Sequence, residues 1–229
     1  MKTQNKSLRI EESDVTKLYA PHLNGESTFI HPAKGPGTYI QVAKQLEEDN
    51  LHQPTMSQNT SLVYSAWQNP EEKYSKEIID ILRNNWLWCF NGILYEPKEG
   101  VYIQDNPEIK NGRVFMDKSD LVKKLEAKDP TVRFVPFGYK INEQTSKQLA
   151  NNKFVQALAG EESAQKLAEA SANYKFKPCV WSFDNIDEQL IKVASLDELR
   201  GLDVNGLDVY GDFSGDDWDG HAFGVSEAS

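Results

Sequence analysis

The run WLWCF at Trp86–Phe90 constrains this chain more than any other stretch. Continuous apolar residues bounded by Asn85 and Asn91 suit a strand buried on both faces. Just upstream, Tyr74, Ile78, Ile81 and Leu82 recur on a helical period, and Lys73, Lys76, Glu77, Asp80 and Arg83 fall mostly off that stripe. Asn69-Pro70-Glu71-Glu72 reads as the start of this helix, with Asn69 as cap, Pro70 at the first helical position and the glutamates near the positive end of the dipole. Asn84-Asn85 ends it. Downstream, Ile93–Tyr95 and Val101–Ile103 read as two strands, joined by a turn that Pro97 pre-sets and in which Gly100 takes positive φ.

The flanking sequence fills in a mixed pattern. Residues 1–30 are polar and weakly periodic, and read as a partly ordered arm ahead of a single domain over 31–229. His31 to Gly37 is a loop by composition. Thr38 caps a helix that turns Ile40, Val42, Ala43 and Leu46 inward, and Pro54-Thr55 opens another. Asn111-Gly112 is a turn. A helix beginning at Asp117 or Ser119 stops at Asp129-Pro130. Val132 to Tyr139 reads as a strand that Pro136 confines to an edge or a bulge. Thr145 and Gln148 have capping-box spacing and open a helix that runs to Ala159-Gly160. A further helix spans 161–174. Strands follow at 178–183 and, on the alternation of Ile191, Val193 and Ser195, at 189–196. Asn205-Gly206 signals a hairpin. Without regular strand–helix alternation, the pattern predicts an α+β fold: a mixed or antiparallel sheet with several packed helices in a single compact domain.

Charge narrows the partners. The chain has 229 residues and a formal charge of −10. Nucleic acid and anionic membranes both call for a basic face, so neither is an expected partner. An unidentified protein or a small anionic ligand remains. Cys89 and Cys179 are the only cysteines and sit within WLWCF and CVWSF. Two such thiols make no disulfide framework and read as buried and reduced. With no apolar run near the roughly 20 residues of a membrane span, and no signal-like core in the first residues, the expected location is cytoplasmic.

Two segments carry candidate chemistry. Lys34-Gly35-Pro36-Gly37-Thr38 opens a helix, and glycine-rich backbone at a helix N-terminus can hold an anion, with His31 and Lys34 adding charge. The segment matches neither GxxxxGK[ST] nor GxGxxG, and a capped helix after an ordinary loop explains it equally. The second segment holds Asp212, Asp216, Asp217, Asp219 and His221, oxygen and nitrogen donors of the kind a divalent cation takes. Its spacing fails the EF-hand pattern, and a solvated acidic turn is the plainer explanation. Among the aromatics, Trp88, Phe90 and Trp181 read as core, whereas Tyr95 and Tyr102 flank the hairpin turn and read as more exposed.

No catalytic motif is present, and the sequence assigns no cofactor. The first functional reading is therefore a binding or regulatory module. The alternative is a metal-dependent hydrolase or transferase acting on an anionic small molecule. It would gain if Gly37 and Asp216 shared a cleft.

Overall fold

The computed structural model describes residues 7–198 and 206–226. Among these, a mixed sheet of eleven strands carries seven helices and a separate two-stranded hairpin, the α+β architecture that the sequence pattern predicts. The strands are β1 (Arg9–Glu11), β2 (Thr16–His22), β3 (Gly25–Gly37), β4 (Trp86–Glu96), β5 (Gly100–Asp105), β6 (Glu108–Lys110), β7 (Arg113–Phe115), β8 (Val132–Pro136), β9 (Asn142–Glu143), β10 (Cys179–Trp181), β11 (Leu190–Glu198), β12 (Leu207–Phe213) and β13 (Gly220–Ser226). The helices are α1 (Tyr39–Glu48), α2 (Met56–Trp67), α3 (Lys73–Asn84), α4 (Lys118–Glu126), α5 (Ser146–Ala150), α6 (Lys153–Ala159) and α7 (Glu161–Ser171). No helix among the described residues is long and apolar enough to cross a membrane.

The main sheet runs β1-β2-β3-β13-β4-β11-β12-β10-β9, and β5 and β8 branch from β4. Among the described strands, only β13–β4 and β10–β12 pair in parallel. Strand β4 is the hub, bonded to β5, β11 and β13. Its alternation sends Leu87, Cys89, Ile93 and Tyr95 into the main core beside α2, α3, α6 and α7. Trp88 and Phe90 face the other way, into a second core with Tyr39, Val42, Ala43 and Leu46 of α1. Both faces are covered, so the strand reads as one apolar run.

Local chemistry sets several helix ends. Thr38, Thr55 and Thr145 each form a reciprocal capping box, with Gln41, Gln58 and Gln148. Helix α3 differs from expectation at its start. Its cap is Glu72, whose side chain accepts from the Ser75 amide at 2.9 Å, while Asn69 and Pro70 form the turn before it. The expected single helix over 145–159 is two. Asn152 divides them because its Oδ1 caps the amides of Phe154 and Val155, while its Nδ2 donates to the Lys140 carbonyl and Gln144 Oε1.

Four further expectations need correction. The polar arm is not an arm from Arg9 onward. Strands β1 and β2 and the start of β3 form one end of the sheet, with Leu18, Ala20 and Phe29 fully buried. Only alternate residues face inward, so the segment is polar in composition while its inner face is apolar. The expected loop over 31–37 is the second half of β3, extended by pairing with β13. Tyr95 and Tyr102 are buried, not exposed: Tyr95 lies in the main core, and its hydroxyl donates to the Gly211 carbonyl at 2.9 Å. Trp181, expected in the core, is half-exposed. The Asn205-Gly206 hairpin rests on residues 202–205, outside those described.

Candidate functional site

The two candidate segments meet, because β3 and β13 are antiparallel neighbours with Gly37 opposite Gly220 and Lys34 opposite Ala222. Their approach is close. A Cβ on Gly35 would stand 2.5 Å from the Gly220 carbonyl oxygen, and one on Gly220 only 1.9 Å from Trp88 Nε1. Gly35 also holds φ +118°, a conformation few side chains tolerate. The Trp88 indole N–H donates to the Gly37 carbonyl at 3.0 Å, fixing the strand pair onto the second core.

The polar groups of the 34–38 segment are already engaged. The Gly35 amide donates to Gln45 Oε1 and the Thr38 amide to Gln41 Oε1, both at 3.0 Å. The Thr38 hydroxyl caps the Gln41 amide. Lys34 pairs with Asp49, and His31 Nε2 lies 2.5 Å from Glu77 Oε2. These contacts fit a strand running into a capped helix. On the second segment, Asp216 and Asp217 are exposed and Asp212, Asp219 and His221 half-buried. Among the described residues, no three His, Cys, Asp or Glu side chains come together as a metal ion requires.

The structure brings together different members of the two segments. His31 and His221 share a crevice with Glu77 and Asp80 of α3. His221 Nδ1 lies 3.1 Å from the Asp219 carbonyl oxygen, and burial lowers the imidazole's pKa. The neutral ring therefore donates from Nδ1 and keeps a lone pair on Nε2.

A second depression, of about 370 Å³, lies at the opening of α1. It is within the size range of small-ligand pockets. Tyr39 and Ile40 form one side, and the Tyr39 amide is fixed there by a bond to the Gly215 carbonyl at 3.0 Å. Ser214, Gly215 and Asp216, between β12 and β13, form the next side. Arg113 and Val114 of β7 face Ile191 and Lys192 of β11 across the rest. Neither Arg113 nor Lys192 makes an ion pair or a side-chain hydrogen bond among the described residues. Asp212 feels the charge of Lys192 weakly, after the larger effect of its own burial. Asp216 thus shares a cleft with the first turn of α1, while Gly37 stays outside its lining.

The sequence reading missed both cations. Arg113 follows the Asn111-Gly112 turn, and Lys192 is the one charged residue in LIKVASL. A lysine inside an otherwise apolar strand was the available signal. The arginine carried none, since only the folded hairpin carries it across to β11.

A third feature is an aromatic row on the α1 side of the sheet. Trp181 stacks on Tyr210 with centroids 6.1 Å apart, and Tyr210 meets Trp86 edge-on at 5.1 Å. Buried Asp208 holds the first pair: its Oδ2 accepts from Trp181 Nε1 at 3.0 Å and from the Tyr210 hydroxyl at 3.1 Å. Burial raises the Asp208 pKa to about 6, with the two hydrogen bonds opposing the shift.

Comparison with known proteins finds no matching family model, no similar curated protein and no similar solved structure.

Proposed function

We propose that this protein is a non-catalytic binding module that holds a small ligand by an anionic group in the groove at the opening of α1. The observation that carries this reading is the pairing of Arg113 and Lys192 across a walled groove without a carboxylate ion partner, in a chain of formal charge −10. Arginine offers a planar fork and lysine a mobile point charge, and together they match a carboxylate or phosphate. The first turn of α1 adds the positive end of a helix dipole. Buried free thiols at Cys89 and Cys179 suit a cytoplasmic setting, which belongs to the same proposal.

One observation favours the second reading, a hydrolase or transferase acting on an anionic small molecule. Two imidazoles share a crevice with two carboxylates, and proton transfer uses groups of this kind. The groove reading stands first because its charges match the ligand class directly.

Thermal melting and calorimetry with inorganic phosphate and a series of small carboxylates test the groove reading. A ligand at a hundredfold excess over its Kd stabilises the fold by about 2.7 kcal/mol. The double variant Arg113→Gln/Lys192→Gln is expected to lose that gain while melting normally without ligand. Equal stabilisation of the variant, or no response of the wild type to any of these anions, would refute the assignment.

A further inference from the structure

We infer that the groove at the opening of α1 selects a zwitterion, a free α-amino acid with an apolar side chain. This inference rests on the groove reading above and narrows its ligand. Arg113 and Lys192 are opposed by one carboxylate, Asp216, which is exposed and makes no ion pair or side-chain hydrogen bond among the described residues. The formal charges of the lining side chains therefore sum to +1 and not +2, before the neighbouring Asp212 carboxylate, which acts on Lys192 from outside the lining, is counted. A dianion such as phosphate would gain from the two cations and lose against Asp216. A plain carboxylate would satisfy the cations and leave Asp216 unused.

An α-amino acid uses all three groups. Its carboxylate lies with Arg113 and Lys192 and its ammonium donates to Asp216, each as a charge-assisted hydrogen bond. The Ser214 hydroxyl is a further donor or acceptor beside them. Ile40, Val114 and Ile191 supply the apolar wall. The volume, near 370 Å³, is at the small end for ligand pockets and suits a single amino acid better than a nucleotide. The anchoring of Tyr39 to Gly215 fixes the segment that bears Asp216 against α1, so the carboxylate is presented from a defined position.

Calorimetry with three probes of similar shape tests the inference: L-leucine, 4-methylpentanoate, which lacks the ammonium, and 3-methylbutylamine, which lacks the carboxylate. The expected result is that leucine binds at least about tenfold tighter than 4-methylpentanoate, a difference of about 1.4 kcal/mol, and that the amine does not bind. In Asp216→Asn, with its unliganded melting temperature unchanged, that preference is expected to collapse toward one. If 4-methylpentanoate binds as well as leucine, the zwitterion inference falls and the anion site stands. If phosphate or the carboxylates bind and leucine does not, the same conclusion follows. If the amine alone binds, or neither phosphate nor any of the three probes binds, both readings fall. A leucine preference that survives in Asp216→Asn overturns the role given to that carboxylate.

Discussion

At the scale of single residues, charges partly or wholly withdrawn from solvent tie distant elements together. Arg133 shows a favourable case. Its guanidinium reaches both Asp105 oxygens, at 2.5 and 2.6 Å, and also the carbonyls of Ala157, Leu158 and Pro130. Asp105 in turn accepts from Asn91 Nδ2 at 2.5 Å, and Asn91 Oδ1 accepts from the Met56 amide. One arginine thereby joins the end of α6, the end of β5 and the start of α2. His22 and Lys166 do similar work around buried Ser61, whose hydroxyl lies 3.0 Å from His22 Nδ1 and 3.2 Å from Lys166 Nζ. Lys166 also donates to the Pro21 carbonyl and pairs with Glu162, so its charge is spent on structure.

Asp208 is the costly case. Its carboxyl keeps a proton up to about pH 6, whereas the unfolded chain releases it near the ordinary 3.8. Between those values the native state binds more protons, so this residue's contribution to stability falls as pH rises through the window. In Asp208→Asn the amide oxygen can still accept from Trp181 and Tyr210, and the ionisation is gone. The stability of the variant relative to wild type is expected to improve by about 2–3 kcal/mol between pH 4 and pH 7, read from urea midpoints. A difference that does not change with pH would mean that Asp208 ionises normally. The effects of other shifted groups, including Glu198, His22 and His221, cancel in the comparison.

At the scale of elements, β4 organises the fold. Phe90 is fully buried and contacts the Tyr39 ring at 4.6 Å between centroids, while its amide donates to the Pro54 carbonyl. Phe90→Ala is expected to cost roughly 3–5 kcal/mol. An unchanged urea midpoint would show that the α1 side of the sheet contributes little. This strand, its helix and its hairpin were legible in the sequence because they are dense in apolar residues and closed by strong turn signals. The helix starts at Thr38, Thr55 and Thr145 were legible too, each with glutamine three residues on, whereas the caps at Glu72 and Asn152 were not. The N-terminal strands were not legible. Their inner residues Leu18, Ala20, Ser27 and Phe29 are few against the polar residues between them. The 34–38 segment was misread because glycine and proline in a strand look like a loop. Only the partner strand β13, which lies far along the chain, shows that Gly35 and Gly220 serve close packing.

At the scale of the molecule, the chain gathers its chemistry at places that no local motif marks. The β3–β13 pairing unites two segments separated by most of the sequence, and so His31 and His221 line one crevice. The groove needs α1, the β6–β7 hairpin, β11 and the β12–β13 connection at once. A site assembled from four elements, each giving two or three residues, leaves no spacing to read. The two acidic and glycine-rich segments were visible for their composition; the glycines serve close strand pairing, and of the acidic segment's carboxylates only Asp216 lines the groove.

The groove is the central functional claim, and a residue-resolved amide spectrum of the isotopically labelled protein tests it most directly. Small carboxylates, inorganic phosphate and leucine are titrated in turn. The expected result is a saturable shift of the amides of Ile40, Arg113, Val114, Lys192, Ser214 and Asp216, absent in Arg113→Gln/Lys192→Gln. No saturable shift with any of these ligands, or shifts centred on His31, Glu77 and His221, would contradict it.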